Sequence, residues 1–452
     1  PGFGNGSANL HNARRARSPI VNMIGEHATY HRQFDAPLTA DIEGFARPVS
    51  NWVGISESPE NLANVGLEAL DVAKTYPGKV ASFIAPADHA WTELTDTPPA
   101  VSRAHPDAPP RATEDAIEAS AAALRKGKKT VLFLGGMALR EEALYQAGRI
   151  QAATGVRLVT ETFCTRHQRG AGRVPVERLP YFGEQAAEFL DGTDQFIIVG
   201  SKAPVSFFAY PGKPSELVPS DALITLLADP RIDALDALTR LADTLNAPSA
   251  PSKLQTKLTH ELEHGPINMI ELGKVIANRL PAQAIVSDEG ATNGLGAFLY
   301  TDMAEPHDWL MLTGGSIGQG LPLAVGAAIA CPDRKVIALQ ADGSAMYTLQ
   351  ALWTMAREAL DVTVILLNNR SYAILNIEMA RVGVADSSEK ARSLLDLSNP
   401  DLDWVKLAEG MGINAEQVTS VEQFDQAMNQ AMSTPGPHLI DVLLPGYDAM
   451  PL

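Results

Sequence analysis

Two short polar stretches carry the residue types needed to hold a divalent cation. They are Ala341-Asp342-Gly343-Ser344 and Asn368-Asn369-Arg370-Ser371-Tyr372, with 24 residues between Gly343 and Asn368. A hard cation such as magnesium takes a few oxygen ligands and leaves room for phosphate and water. Asp342 can supply a carboxylate, Asn369 an amide oxygen and Ser371 its main-chain carbonyl. Gly343 allows close backbone approach, and Ser344 is expected to open a helix whose first N–H groups face a phosphate. A lone Asp-Gly-Ser is more often a helix-capping turn. The paired asparagines at the end of the next predicted strand shift the reading toward a cation holding a diphosphate.

Other residues invite weaker readings. The run Thr313-Gly314-Gly315-Ser316-Ile317-Gly318-Gln319-Gly320-Leu321-Pro322 leads into a helix, and a tight turn against a sheet needs the same glycines. Asp288-Glu289-Gly290-Ala291-Thr292 follows a strand and reads equally as a ligand-facing turn or a solvated acidic one. His27 and His31 follow the first strand, where substrate contact competes with a solvated loop or a structural hydrogen bond. His167, near Cys164 and Arg166, reads as a surface or interdomain residue rather than half of a catalytic dyad. Phe207, Phe208 and Tyr210 read as aromatic packing before pocket mouth, and Met346, Trp353 and Met355 as core.

The elements that must position these residues alternate between strand and helix in three stretches. The first has strand candidates at Pro19–Ile24 and Val80–Ile84 around a helix at Asn61–Lys74. A proline-rich linker follows at Asp96–Ala112. The second stretch, 113–246, has strand candidates at Thr130–Leu134, Val156–Thr160, Gln195–Val199 and Ala222–Leu227. Helical patterns between them imply a parallel sheet. After a second linker at Ala247–Lys257, the third stretch, 262–452, places strands at Ala284–Ser287, Trp309–Leu312, Lys335–Gln340, Val362–Leu367 and His438–Leu443. Helices are expected at Asn268–Arg279, Leu321–Ala330, Leu349–Ala359 and Asp401–Met411. The fold class expected is therefore α/β, with three doubly wound parallel-sheet domains at 1–100, 113–246 and 262–452. Both polar stretches then fall just past strand ends, where open α/β sheets bind ligands.

Bulk properties narrow the class. With 452 residues there is ample chain for several cores. A net charge of -17 disfavours nucleic acid and anionic membranes as partners. Two cysteines allow neither a disulfide framework nor a CxxC zinc site, which fits a reducing cytoplasm. No apolar run of membrane-spanning length occurs in the sequence. The opening Pro1-Gly2-Phe3-Gly4-Asn5 reads as a loop inside a domain, so the native start is expected elsewhere.

The Asp-Gly and Asn-Asn pieces at this spacing resemble the thiamine-diphosphate motif, with Ala341 standing where the first glycine of that motif usually is. Nearly the whole chain resembles the acetohydroxyacid (acetolactate) synthase large subunit and benzoylformate decarboxylase group. Pro1-Gly2-Phe3-Gly4-Asn5, Asn9-Leu10, Ser18-Pro19-Ile20 and Ala46-Arg47-Pro48-Val49 resemble the synthases. The resemblance implies a pyrimidine-binding domain, incomplete here at its N-terminus, a central domain and a diphosphate-binding domain. Thiamine diphosphate and Mg2+ are the cofactors implied, with Asp342, Asn369 and Ser371 as metal ligands. Asp288, Thr292, Gly315, Ser316, Ile317, Gly343, Ser344, Tyr372, Ala373 and Ile374 are the cofactor-contacting positions. Among them Ile317 is the apolar wedge bending the cofactor, and the Gly315 carbonyl receives its amino group. Asn5, His27 and His31 become candidates for the substrate pocket. The implied substrate is a 2-oxo acid, decarboxylated and then either ligated to a second carbonyl or released as aldehyde. A homodimer or homotetramer with the site between subunits is the implied working unit.

The departures keep alternatives open. Asp35-Ala36-Pro37-Leu38-Thr39 lacks the Phe and Gln that line the synthase pocket, and Ala373-Ile374-Leu375 leads into Asn376-Ile377-Glu378 without the synthase tryptophan. No synthase flavin loop accompanies Gly200-Ser201-Lys202-Ala203-Pro204-Val205, so FAD is not expected. The decarboxylase histidine is replaced near Phe208-Ala209. The family glutamate that activates the aminopyrimidine lies upstream of Pro1, so no catalytic residue is assigned. A simple decarboxylase, a catalytically silent cofactor-binding subunit and an acyl-CoA lyase are the competing readings. The last lacks a clear basic cluster.

Overall fold

The computed structural model describes residues 1–94, 108–384 and 388–446. Most of the predicted linker at Asp96–Ala112 lies outside the described residues. The chain divides into two compact units. The first comprises residues 1–111 with the short segments 230–233 and 313–316, and the second comprises the rest.

The first unit is built on three parallel strands, β1 (Ile20–Glu26), β2 (Trp52–Ile55) and β3 (Val80–Pro86), in the order β1-β3-β2. Parallel neighbours need a crossover, and the helix Leu62–Lys74 provides the one between β2 and β3. Its apolar residues recur at helical spacing, so Val65, Ala69 and Ala73 pack on Ala81 and Phe83. β2 escaped the sequence reading because four half-buried residues beginning with Trp52 show no periodicity.

The second unit holds two sheets. Five parallel strands, β4 (Thr130–Leu134), β5 (Arg157–Thr160), β7 (Glu177–Arg178), β8 (Gln195–Val199) and β9 (Leu223–Ala228), are ordered β7-β5-β4-β8-β9. The seven-stranded sheet is β14-β15-β13-β12-β10-β11-β6. Its strands are β6 (His167–Arg169), β10 (Ile285–Glu289), β11 (His307–Met311), β12 (Val336–Ala341), β13 (Val362–Asn368), β14 (Asn414–Val418) and β15 (His438–Leu443). The mixed α/β architecture is thus as expected, with one rearrangement. β6, from the stretch predicted to build only the central sheet, pairs antiparallel with β11 as an edge strand. Three residues are too few for any pattern to announce a strand.

Burial corrects two readings. His167 is 2% exposed, not a surface residue. Met355 is fully buried, but Met346 and Trp353 are largely exposed. Met355 and Trp353 are two residues apart on the helix Ala351–Arg357 and so point to different sides.

The chain leaves β10 on one side to form β11 and returns on the other side to form β12. That reversal opens a crevice at the C-terminal ends of β10 and β12, the place where open α/β sheets bind ligands. β12 and β13 are mostly apolar strands with no exposed face, as parallel strands between helices must be. Their ends, Ala341-Asp342 and Asn368-Asn369, therefore emerge side by side from a rigid core.

Candidate functional site

At the end of β12 the Asp342 carboxylate is 2% exposed. Its Oδ1 accepts from the Gly343 N–H at 2.8 Å and its Oδ2 from the Arg370 N–H at 2.7 Å. The second bond folds the turn after β13 over the carboxylate. Arg370 takes φ +57°, a left-handed conformation unusual for a side chain of its size. Asn369 Oδ1 accepts from the Ser371 N–H at 3.0 Å, an Asx turn that fixes its amide. Asp342, Asn369 and Ser371 are thereby gathered in one turn.

Burial pushes Asp342 up to about 6, opposed by the N–H groups of Gly343, Arg370 and Ser371, while Asp441 raises it further. None of these influences is a cationic side chain. A carboxylate left in this state suits a cation, since burying a charge is costly unless it is paired. One carboxylate, one amide oxygen and main-chain carbonyls form the all-oxygen donor set of magnesium rather than zinc. Among the described residues no group of three His, Cys, Asp or Glu side chains could hold a metal, so a softer site has no rival claim. The donor set fits.

Gly343 is required by a close approach. A Cβ there would sit 2.4 Å from Tyr372 Cε1, and the Tyr372 hydroxyl donates to the Gly343 carbonyl at 3.3 Å. The helix expected to open at Ser344 starts instead at Asp342 and lasts four residues, and the Ser344 hydroxyl turns back to the Ala341 carbonyl at 3.1 Å. Ala373 is buried and begins the helix Ala373–Arg381, with Ile374 half-buried beside it.

A residue absent from the predicted contacts organises the other wall. Glu289, at the end of β10, accepts from the Gly318 N–H at 2.6 Å and the Gly320 N–H at 2.5 Å. Gln340 donates to Glu289 at 3.3 Å and to the Ser344 hydroxyl at 2.6 Å. The glycine-rich loop and the Asp342 turn are thus joined by a buried polar chain from Glu289 through Gln340 to Ser344. Desolvation raises Glu289, and the loop N–H groups oppose it. The signal in sequence was the Gly-x-Gly at 318–320, whose N–H groups needed an acceptor.

Asp288 is engaged by its surroundings, accepting from the Gly290 N–H at 3.0 Å and the Trp309 indole at 2.9 Å. Thr292 follows in the same turn, and Ile317 is half-buried in the loop. Thr313–Ser316 groups with the first unit. There the Asn12 side chain accepts from the Ser316 N–H at 3.1 Å and donates to its carbonyl at 2.7 Å, and Gly315 takes φ +75°.

Also in the first unit, His27 and His31 line a cavity of about 800 Å³ with Phe3, Met23 and Glu26. Their rings lie 5.5 Å apart. Asn5 is exposed in a short 3-10 helix and does not line that cavity. In the second unit the Cys164 thiol is pushed up to about 12 by burial, so it remains protonated and no thiolate dyad with His167 forms.

Comparison with known proteins gives this geometry its context. Residues 288–442 match the thiamine pyrophosphate enzyme, C-terminal TPP binding domain. A Mycobacterium tuberculosis protein provisionally named acetolactate synthase large subunit IlvX is 46% identical over 98% of this chain and 85% of its own length. Benzoylformate decarboxylase of Pseudomonas aeruginosa is 28% identical over 98% of this chain and 85% of its own. Among solved structures, the thiamine diphosphate-dependent 4-hydroxybenzoylformate decarboxylase of Rhodococcus jostii shares the fold, with TM-score 0.83 and 23% identity. That match covers 98% of this chain and 86% of the other. The turn that encloses Asp342 lies inside the matched domain, and the chain belongs to the thiamine-diphosphate-dependent enzyme family of acetolactate synthase large subunits and benzoylformate decarboxylases.

Proposed function

We propose that the chain binds thiamine diphosphate through a magnesium ion held by Asp342, Asn369 and the Ser371 main-chain carbonyl, and acts with it on a 2-oxo acid. The observation that supports this reading is the buried Asp342 carboxylate, raised to about 6 and enclosed by the Asn369–Ser371 turn without a cationic side chain among its main influences. When bound, thiamine diphosphate supplies the electron sink for breaking the bond between the carboxyl group and the 2-oxo carbon. The chain's own residues bind, orient and shield. Gly343, Ser344 and Tyr372 form the floor of the diphosphate site. Glu289 and Gln340 hold the glycine-rich loop so that Gly315, Ser316 and Ile317 can meet the ring portion. Asp288, Thr292, Ala373 and Ile374 complete the contacts, and His27 and His31 face the substrate.

In this reading the remaining acyl fragment is joined to a second carbonyl, as the identity to an acetolactate-synthase-like protein favours, or released as aldehyde. The working unit is a homodimer or homotetramer with the site between subunits. Location in the cytoplasm is supported by two cysteines that form no disulfide. FAD has no role.

The test is a panel of 2-oxo acids, including pyruvate and benzoylformate, assayed for carbon dioxide and for product with thiamine diphosphate and magnesium. Carbon dioxide release that needs both additions is expected. A hydroxy-oxo acid product identifies ligation and an aldehyde identifies simple decarboxylation. No release from any acid would instead favour the silent cofactor-binding subunit.

A further inference from the structure

We propose that a polar clasp on the helix Ala373–Arg381 sets the geometry of the cation-holding turn, making Tyr181, Tyr210, Glu184, Glu378 and Arg381 positioning residues for cation binding. The inference rests on the reading of Asp342, Asn369 and Ser371 as the cation site.

The helix begins two residues after Ser371 and spans nine residues, of which only Ala373 is buried. A helix this short is marginal alone, and apolar packing this slight does not fix its course. Polar contacts near its C-terminal end do. Tyr181 donates its hydroxyl to Glu378 Oε1 at 3.3 Å, and the Tyr210 hydroxyl donates to Glu378 Oε2. Both phenols are raised, by burial first and also by Glu378, so both remain donors.

One turn on, Arg381 grips Glu184 through both carboxylate oxygens, at 2.5 and 2.7 Å. The pairing holds Glu184 down at about 2. The guanidinium also lies over the rings of Phe182, at 4.3 Å, and Tyr210, at 4.8 Å. Bidentate, aromatic-shielded pairs are worth more than exposed ones, and here the Arg381 side chain is 19% and the Glu184 side chain 35% exposed.

The anchor is joined to an aromatic cluster. Tyr181 packs against Phe163 and Phe207, and Phe207 against Phe208, with ring centroids 4.7 to 5.9 Å apart. At the other end of the helix, Asn376 donates to Ser371 Oγ at 3.0 Å, and Ser371 Oγ donates to the Leu395 carbonyl at 3.2 Å. The path from aromatic cluster to cation ligand therefore runs Tyr181 and Tyr210, Glu378, helix, Asn376, Ser371. Each link is a hydrogen bond or the covalent helix itself.

The experiment combines two readouts on the wild-type chain and on Glu378→Ala, Glu378→Gln, the double variant Tyr181→Phe with Tyr210→Phe, and Arg381→Ala. Magnesium titrations at saturating thiamine diphosphate, followed by tryptophan fluorescence, report the cation site. Hydrogen–deuterium exchange of residues 369–376, without cofactor, reports the turn. We expect Glu378→Ala and Arg381→Ala to weaken magnesium binding about three- to tenfold and to speed exchange at 369–376. Glu378→Gln keeps an oxygen acceptor and should recover most of the affinity. A general loss of packing would show neither the confinement to 369–376 nor this rescue. Equal magnesium affinity in all variants, within about twofold, with unchanged exchange at 369–376, overturns the clasp. If the wild type takes up no cofactor, the reading of the cation site fails. Exchange alone then decides the clasp: faster exchange at 369–376 in the alanine variants upholds it as a brace of this turn, and unchanged exchange refutes it.

Discussion

The Asp342 turn and the His27–His31 cavity solve opposite problems. At the turn, each Asp342 oxygen is held by a main-chain N–H within 2.8 Å and the Asn369 amide oxygen by another at 3.0 Å. In the cavity His27 Nε2 is buried with no hydrogen-bond partner, and the neighbouring Met23 and Tyr30 are 70% and 63% exposed. Backbone-held oxygens suit a group that stays the same whatever the substrate, such as the diphosphate of the proposed cofactor. Side chains with room around them suit the part that differs between substrates.

The largest effect should come from Asp342→Ala. Magnesium-dependent uptake of thiamine diphosphate should fall about 100-fold or more, since a first ligand is lost. Stability without cofactor should change by no more than about 1 kcal/mol, because relief of a desolvated carboxylate with no cationic partner offsets the loss of its bonds to the Gly343 and Arg370 N–H groups. Calorimetry and urea unfolding of the same variant separate the two. An affinity loss accompanied by an equal loss of stability would mean that Asp342 serves folding instead.

Gly343→Ala should cost about tenfold in cofactor affinity, because its Cβ would meet the Tyr372 ring at 2.4 Å. Replacing Tyr372 with leucine in the same chain should restore part of the loss. In the cavity, His27→Ala and His31→Ala should change kcat/KM for 2-oxo acids by up to about tenfold while leaving cofactor affinity within about twofold. Equal damage to both quantities would erase the distinction between the regions.

The smallest effect concerns buried histidines elsewhere in the second unit. Burial, then the Arg169 charge, holds His307 down at about 3, and His167 is lowered in the same direction. Unfolded histidine takes its proton near 6.5. Between those values the unfolded chain binds protons that the folded chain does not, so stability falls as pH drops below about 6.5. The slope approaches about 1.4 kcal/mol per pH unit for each histidine. Urea midpoints at pH 7.5 and 5.5 check this, and His307→Gln should flatten the dependence.

What the sequence disclosed follows the same division. β4, β8 and β15 match their predicted bounds because buried parallel strands are short, mostly apolar runs. Asp342, Asn369 and Ser371 could be named because they supply oxygen donors just past two predicted strand ends, at the spacing of the thiamine-diphosphate motif. Glu289 was passed over because its partners are N–H groups 29 and 31 residues away, which no local pattern reveals. β6 was invisible for the same reason, since three residues become a strand only when β11 offers them an edge. Tyr210 was read as packing, yet its hydroxyl binds Glu378, 168 residues away.

In the proposed function one divalent ion, seated on Asp342 and the Asn369–Ser371 turn, anchors a diphosphate. Calorimetric titration of the wild-type chain with thiamine diphosphate, with magnesium and after its removal by chelation, tests it most directly. Saturable uptake that appears only with magnesium, and disappears in Asn369→Ala, is the predicted result. Uptake indifferent to magnesium, or none in its presence, would contradict it.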